Sequence, residues 1–485
     1  MTISSALSSA LSGLSAASRM ADVTASNVSN ALTESYARRD VQLAARSLDK
    51  GSGGVSVTGI ARQIDSLLLQ DLRLSSSAQG ARVTTSDFLM RMDLAMGTPD
   101  QDGSLSSRIA TFERSLIEAA ARPEADARLV SVVTAAQSLT QGFAEISAAI
   151  QSERQIADSR IAGDVKLLND SLSGVAELNI RIRAFAAAGR DASALMDQCQ
   201  NLIDSISTIL PVREVMRDNN QIALYTTGGT ILLEGRPALI EFAPTRLITP
   251  QMELASGGVS GLSVNGQILT SSPAGGRLGE GRLSALFDLR DALAPEAQSR
   301  IDALARDLVD RVSGASVDPT IAPGAPALFT DRGALFDASE EVGFAGRIQI
   351  NALVVPEAGG AVWRLRDGLG ATLPGPSGFS ERLTALSAAL GELRPQIFGG
   401  VSSGARSLSG FASDMASEQS VKRLSAESGA AFAIARSTAL RSELLRDGVD
   451  TDQEMQNLLL IEQAYAANAK VVQTADDMIK MLLEL

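Results

Sequence analysis

Residues 447–485 read DGVDTDQEMQNLLLIEQAYAANAKVVQTADDMIKMLLEL, and they carry one narrow apolar stripe along a predicted helix. The stripe steps alternately by three and four residues, which is the a/d spacing of a heptad repeat. Its members are Leu458, Ile461, Tyr465, Asn468, Val472, Ala475, Ile479 and Leu482. Thr451 and Glu454 predict a capping box at the start of the helix. Such a stripe needs a partner helix, either in an ordinary bundle or in a coiled coil.

The other end of the chain offers that partner. Residues 1–36, MTISSALSSALSGLSAASRMADVTASNVSNALTESY, contain a second heptad stripe, formed by Ile3, Leu7, Ala10, Leu14, Ala17, Ala21, Thr24, Val28 and Ala31. Alanine makes this stripe thin, since each buried methylene contributes only about 0.8 kcal/mol. Leu7, Leu11 and Leu14 are its predicted anchors. We therefore predict that the two terminal helices pair with each other and with neighbouring copies.

Two polar features of the C-terminal stretch allow more than one interpretation. Asn468 lies in the heptad stripe, where it either sets the register and oligomeric state or turns toward the surface. Four carboxylates cluster before and at the helix start, namely Asp447, Asp450, Asp452 and Glu454. Their spacing differs from that of an EF-hand loop, so helix capping and a favourable helix dipole are favoured over calcium binding. We predict no metal site.

The composition argues against catalysis and against several kinds of partner. The chain has 485 residues, no histidine, one cysteine and a net charge of −13. Without histidine it lacks the commonest general base and the commonest metal ligand, so we predict neither an enzyme nor a bound cofactor. The negative charge disfavours nucleic acid and anionic membranes as partners. Cys199 falls in a helical pattern and is predicted to be a packed thiol.

The sequence also limits the routes by which the protein could leave the cell. It contains no apolar run of the roughly 18 residues that a membrane span requires, so we predict no membrane insertion. Serine interrupts the N-terminal apolar residues, and no basic region precedes them, unlike a cleaved signal peptide. The protein is therefore expected either to stay inside the cell or to leave by a route that uses no cleaved signal.

The hydrophobic patterns predict a mainly α protein with a β-rich insert. One long helix, or two collinear ones, is expected over residues 123–185 with Pro123 at its first position, and further helices over 192–210 and 283–312. Alternating short runs predict strands from about 213 to 276, and further strand-like pieces are predicted at residues 55–57 and 346–355. From residue 380 onward the pattern is helical. The predicted domains are a terminal coiled coil (1–45 with 447–485), a long-helix bundle (46–210 with 380–446) and a β-rich outer domain (211–379).

The two ends resemble a known family. TASNVSNALTESYARR, residues 24–39, resembles the signature turn of bacterial flagellar axial proteins (rod, hook and hook-associated proteins), with matches at Asn27, Ser29, Asn30, Thr33, Tyr36 and Arg38. Residues 457–483 resemble the C-terminal helix of the same proteins, with matches at Gln463, Ala464, Tyr465, Asn468, Ala469 and Lys470. Both signatures at opposite ends of one chain are more specific than either alone.

Segments between the ends narrow the resemblance to the flagellar hook-associated protein 1 family. Residues 54–73 and 281–312 are similar to segments of that family. So is ALMDQCQNLIDSIS, residues 194–207, which keeps Asp197, Gln198 and Leu202 and has Cys199 where the family usually has arginine. The similarity covers roughly residues 1–315 and 380–485.

The resemblance implies a structural part of the flagellum at the hook–filament junction, exported without a cleaved signal by the flagellar type III apparatus. It further implies a ring of copies, the hook protein and the second hook-associated junction protein as neighbours, and a cytoplasmic export chaperone on the C-terminal helix. The implied assembly residues are Leu7, Leu11, Leu14, Val28, Leu458, Ile461, Tyr465, Asn468, Val472, Ile479 and Leu482. The alternatives are another axial protein, of hook or distal-rod type, and a type III-secreted effector or adhesin.

Overall fold

Long helices dominate the computed structural model, which describes residues 3–33, 35–48, 51–98, 100–269, 276–398, 401–446 and 448–483. Small antiparallel sheets accompany them, so the predicted mainly α fold with a β-rich insert is confirmed. The helices of these ranges are α1 (Ile3–Ser29), α2 (Ser66–Met96), α3 (Leu105–Ala121), α4 (Asp126–Ala187), α5 (Ser193–Ser207), α6 (Arg282–Asp288), α7 (Ala294–Val312), α8 (Arg364–Asp367), α9 (Glu381–Gly391), α10 (Leu408–Arg446) and α11 (Thr451–Leu483). A π-helical turn, Leu289–Leu293, joins α6 to α7.

The strands of these ranges pair with near neighbours along the chain. Three two-stranded hairpins are formed by β1 (Arg39–Leu48) with β2 (Gly51–Arg62), β10 (Phe329–Asp331) with β11 (Ile348–Ile350), and β12 (Arg394–Phe398) with β13 (Val401–Arg406). A four-stranded sheet contains, in order, β3 (Val212–Met216), β4 (Ile222–Thr226), β5 (Ile231–Glu234) and β6 (Arg236–Pro237). A three-stranded sheet contains β7 (Ile240–Glu241), β8 (Leu262–Val264) and β9 (Gln267–Leu269).

Two helix pairs bring the ends of the chain together. Helices α1 and α11 pack against each other and run antiparallel, because Asn27 lies beside Glu454 while Gly13 lies beside Asn468. The β1–β2 hairpin lies along α1. We call α1, β1, β2 and α11 the terminal arm. Helices α2 and α10 form the second pair, in which Arg423 of α10 lies 3.0 Å from the Asp93 carboxylate of α2. We call the rest of the protein, from α2 to α10, the body.

Helix α4 forms the backbone of the body. Its buried face contacts α3, α5, α7 and several strands of the insert, and these elements share one continuous apolar core. Charged groups within this core are paired, as burial requires. Arg290 lies 2.7 Å from Asp158, both with fully buried side chains. Arg154 donates to the backbone carbonyls of Thr249 and Met252, which ties this loop of the insert to α4. The predicted division into three domains remains a prediction.

The long helix begins three residues later than predicted. Helix α4 is a single helix, but it starts at Asp126, and Pro123 is not its first residue. Ala125 donates its N–H to the carbonyl of Arg122, so a turn separates α3 from α4. The carbonyl of Pro123 accepts a hydrogen bond from the buried guanidinium of Arg366 at 3.2 Å. This bond holds Pro123 in the turn, outside the helix.

Two hairpins lie where the sequence predicted none. The prediction that the chain is helical from residue 380 onward is wrong at β12–β13, which separates α9 from α10. Pro395 in β12 gives the reason, because proline disrupts a helix interior. The prediction also missed β1, the partner of β2. Strand β9 ends at Leu269, and residues 270–275, included in the predicted strand region, lie outside the described residues.

Glycines inside two helices have opposite surroundings. Around Gly163, on the exposed side of α4, a Cβ would meet no atom within 4 Å. Alanine is a better helix former than glycine by about 1 kcal/mol. Gly163→Ala should therefore raise the free energy of unfolding by up to about 1 kcal/mol, measured by urea denaturation. In Gly13→Ala the new Cβ would lie 2.7 Å from Asn468 Oδ1, so this variant should gain less. Equal gains in the two variants would contradict the prediction.

The buried carboxyl of Asp302 should make stability depend on pH. Burial raises its pKa from 3.8 to about 6, although the N–H groups of Gly343, Ala345 and Gln298 all donate to it and lower that value. The folded protein thus favours the neutral acid. Its contribution to stability is complete below the unfolded pKa of 3.8 and is lost as the pH rises through about 6.

Urea denaturation of the parent protein and of Asp302→Asn tests this linkage. The parent's free energy of unfolding, relative to that of the variant, should fall as the pH is raised from 4 to 7. The asparagine cannot ionise, so the variant lacks this titration. A relative stability that rises over the same range would contradict the prediction.

Candidate assembly interface

Most of the predicted stripe residues of α1 and α11, two helices that pack against each other, are buried or half-buried. On α1, Leu7, Leu14 and Val28 are half-buried, and Ala10 and Ala17 are buried. On α11, Leu458, Ile461, Asn468 and Val472 are half-buried and Ala475 is buried. Four predicted residues are exposed in the single chain, namely Leu11, Tyr465, Ile479 and Leu482. The structure thus brings the two terminal stripes together within one chain, and the role of these residues between copies remains a prediction.

Asn468 sits at the closest approach of the two helices. An added Cβ at Gly13 would lie within 2.8 Å of the Asn468 side-chain atoms Cγ and Nδ2, so only glycine fits there without movement. The Asn468 amide donates to the carbonyl of Ala464, one turn earlier, at 2.9 Å. Asn468 therefore faces α1 rather than the surface. Whether it sets the register or the oligomeric state remains a prediction.

The signature residues of the N-terminal turn form a hydrogen-bonded cluster around Asn27. Asn27 is 1% exposed, and its amide makes four hydrogen bonds. Its Nδ2 donates to the Arg39 carbonyl at 2.9 Å and to Glu454 Oε2 at 3.2 Å. Its Oδ1 accepts from the Tyr36 hydroxyl at 2.8 Å and from the Arg39 N–H at 3.1 Å. One side chain thus joins α1, the following turn, β1 and α11.

The other signature residues have local roles or exposed positions. Ser29 and Asn30 both donate to the carbonyl of Ser26 and close the last turn of α1. The carbonyl of Thr33 accepts from the N–H of Tyr36. Gln463 and Ala464 are exposed on α11.

Glu454 anchors α11 to the start of β1, which overturns the predicted capping box. Its carboxylate, in a residue 1% exposed, accepts from Arg38 Nε at 2.8 Å and from Asn27. Burial lowers the pKa of Arg38, but the hydrogen bonds and charges of Glu454 and Asp40 outweigh that effect and raise it. Asp450 caps the helix instead, accepting from the N–H groups of Asp452 and Gln453, so Thr451 is the first helical residue. Asp447 of the predicted carboxylate cluster lies outside the described residues.

The base of the hairpin is bound to the body through Asp197 of α5. Arg39 Nη2 lies 2.6 Å from Asp197 Oδ2, and Arg62 Nη2 lies 2.6 Å from Oδ1. Arg39 and Arg62 are paired residues of β1 and β2. Nearby Cys199 is fully buried, and burial raises the pKa of its thiol to about 12, as befits the predicted packed thiol. We call Asp197, Arg39 and Arg62 the hairpin clamp.

A second heptad stripe covers the exposed side of α11. It consists of Leu460, Ala464, Ala467, Val471, Thr474, Met478 and Met481, and all seven are exposed. A stripe of mostly small residues with the same spacing covers the exposed side of α1, with Ser8, Leu11, Ser15, Ser18, Asp22, Ala25 and Ser29. The predicted seam used one stripe per helix and did not include these two. The same three-and-four spacing, started one or two residues away, identifies both.

Neither a metal-binding group nor a membrane-spanning helix is present in the described residues. No group of three or more histidine, cysteine, aspartate or glutamate side chains in them is placed to hold a metal ion. No described helix combines the length and hydropathy needed to cross a membrane. The polar clusters instead join helices and strands, and the exposed stripes of α1 and α11 offer surface for packing.

Two protein families match the chain. The family described as "Flagellar hook-associated protein FlgK helical domain" matches residues 89–316. The family described as "Flagellar basal body rod FlgEFG protein C-terminal" matches residues 445–485. The two matches fall on the body and on α11.

Individual relatives show the same similarity. Flagellar hook-associated protein 1 of Salmonella typhimurium is 24% identical over 289 residues, which are 57% of this chain and 51% of the relative. The protein of that name from Bacillus subtilis is 26% identical over 240 residues, 47% of each chain. A solved structure of the flagellar hook junction protein FlgK from Burkholderia pseudomallei matches 54% of this chain and 46% of that chain, with a TM-score of 0.45 and 18% identity. The chain spans about half the length of the curated relatives it matches.

One flagellar family matches part of the helical body and another matches the terminal helix, so this chain is similar to structural proteins of the flagellum. The matched relatives are structural flagellar proteins and not enzymes, in line with the prediction of no catalytic role. The predicted resemblance to the flagellar hook-associated protein 1 family is confirmed.

Proposed function

We propose that this protein forms the junction between the flagellar hook and filament, as a ring of copies that associate through their terminal arms. One observation carries the proposal. Helices α1 and α11 use one heptad stripe each to pair within the chain, and each leaves a second stripe exposed. Exposed apolar surface rimmed by polar residues, as on α11, is typical of a protein–protein interface. A helix pair with two further seams can pack against the pairs of adjacent copies, and the hook protein and the second hook-associated junction protein would lie above and below the ring.

The same stripe supports a proposal for export. Before assembly, α11 exposes Leu460, Val471, Met478 and Met481 to solvent. An amphipathic helix of this kind fits the groove of a helix-binding protein. A cytoplasmic export chaperone on α11, followed by passage through the flagellar type III apparatus, would keep these residues covered until neighbouring copies bury them. The assembled protein would then be extracellular, in the flagellum.

Deleting the gene tests the junction role. Electron microscopy of the deletion strain should show bare hooks, and flagellin should accumulate in the medium because it is exported with nothing to grow from. Strains re-expressing the intact gene serve as the control. Normal filaments would rule out the junction role and favour a secreted effector or adhesin. Missing hooks would place the protein lower in the axial structure, as a hook or distal-rod type, for which the rod-family match of residues 445–485 is the supporting observation.

A further inference from the structure

The terminal arm joins the body at a polar joint. Two short chain segments cross this joint, one before α2 (residues 63–65) and one before α11 (residues 448–450). The hairpin clamp supplies the ionic link, since both oxygens of Asp197 are engaged by arginines from the hairpin base. Arg62 also donates to Gln200 Oε1 of α5 at 3.0 Å. The link therefore reaches the body through the side chains of one short helix.

Two grooves lie beside this link, and Gln200 lines both of them. A groove of about 390 Å³ is lined by Arg62, Ile64 and Ser66 from the connecting segment and the start of α2, together with residues of α5 and β3. A second groove, of about 290 Å³, lies between α2, α5 and the end of α10, with Ser35 of the arm on its wall. Protein interiors are normally close-packed, which prevents rotation. Because open space lies beside this joint, the terminal arm can rotate there without displacing core residues.

The clamp is connected to the docking of α11. Arg39 enters the clamp through its side chain, while its backbone N–H and C=O are both held by Asn27. Asn27 in turn donates to Glu454, the buried carboxylate of α11. The adjacent Arg38 binds the other oxygen of Glu454. A continuous set of hydrogen bonds therefore runs from the first turn of α11 to Asp197.

We propose that Asp197 is the pivot of the terminal arm. While α11 is docked on α1, Glu454 and Asn27 fix Arg39, and the clamp holds the arm in one orientation relative to the body. When α11 leaves α1, Asn27 and Arg38 lose the Glu454 carboxylate, so Arg39 is held less firmly, the clamp loosens, and the arm turns within the space of the two grooves. Docking of α11 thereby sets the direction in which the arm is presented to neighbouring copies. Asp197 is therefore a positioning residue that orients the terminal arm relative to the body.

Spin-label distances in the full-length monomer test the pivot. The buried Cys199 is first replaced by alanine, and labels are placed at Thr58→Cys on β2 and Lys166→Cys on α4, two exposed positions. Double electron–electron resonance should give one narrow distance distribution in this parent. Asp197→Asn should broaden it, because the amide replaces a carboxylate that binds two arginines. Glu454→Gln should broaden it as well, because it weakens the link to Arg38.

Asp204→Asn is the matched control. Asp204 lies on the same helix and accepts from Arg73 Nε at 2.6 Å, but both of these residues belong to the body. The spin-label distance distribution of Asp204→Asn should stay narrow. A narrow distribution in Asp197→Asn, or equal broadening in Asp204→Asn, would overturn the proposal. If Asp197→Asn does not fold, Arg39→Gln removes one ion pair and keeps the other; it should also broaden the distribution, and a narrow one would overturn the proposal.

Discussion

Asn27→Ala is expected to detach α11 from α1 while the body stays folded. The change removes four hydrogen bonds. It also leaves the backbone N–H and C=O of Arg39 without the Asn27 amide, their buried hydrogen-bond partner. At about 1 kcal/mol net for each bond, the terminal arm should lose roughly 3–4 kcal/mol. The packing of α11 on the thin stripe of α1 cannot offset a loss of that size. Hydrogen–deuterium exchange should show amides of α1 and α11 losing protection, with α4 unchanged.

Asn30→Ala provides the matched control for this prediction. Asn30 lies three residues further along, and its amide bonds only to Ser26 and Ser29 of its own turn. Protection of α11 should therefore persist in this variant. Unchanged exchange of α11 in Asn27→Ala would show that the heptad stripe alone holds the helix. The cluster would then be a local turn and not the anchor of the arm.

Val471→Asp should abolish incorporation into the flagellum without unfolding the chain. Val471 lies on the exposed stripe of α11, 44% exposed, so an aspartate there meets solvent in the monomer. In a ring of copies the same charge would be buried against a neighbour, at a cost of several kcal/mol. Complementation of the deletion strain should fail in a motility assay. Circular dichroism of the purified variant should match that of the parent.

Ile461→Asp separates the two stripes of α11. Ile461 is half-buried in the α1–α11 interface, so its aspartate variant should weaken the pairing within the chain as well as incorporation. Hydrogen exchange of α1 then distinguishes the two variants, rising in Ile461→Asp and staying at the parent's level in Val471→Asp. Normal motility with Val471→Asp would show that the exposed stripe takes no part in assembly. Normal motility with Ile461→Asp would show that the predicted stripe takes no part in assembly.

The sequence predicted the terminal helices well because their evidence is local. Heptad spacing places Leu458, Ile461 and Val472 on one face whatever the rest of the chain does. Asn468, on that face, does lie against Gly13 of α1. The same reasoning could not fix what each stripe is used for, since spacing shows that a face is apolar but not which helix covers it. The spacing also contains the second stripe of α11, but only the structure shows that this stripe is left exposed.

The polar cluster could not be predicted in the same way. Glu454 matched a capping box by spacing, and only the fold shows that Arg38 and Asn27, more than 400 residues earlier, reach its carboxylate. The resemblance to flagellar axial proteins marked Asn27 and Tyr36 as signature residues without a physical role for them. The structure supplies it, since both bind groups that hold the arm together. Asp197 was matched to the family in the same manner, and its two arginine partners come from the far side of the joint.

The separation between Asn27 and Glu454 also has a consequence for the order of folding. Their hydrogen bond joins residues 427 positions apart, so it closes a very long loop of chain. Contacts of such long range form late, because the entropy of loop closure must be overcome before they stabilise anything. The ribosome synthesises α1 long before α11, so α1 has no partner helix until α11 has been synthesised. A chain truncated before residue 454 can fold its core around α4, but it cannot form the complete terminal arm. Only molecules that extend through α11 have α1 paired with α11.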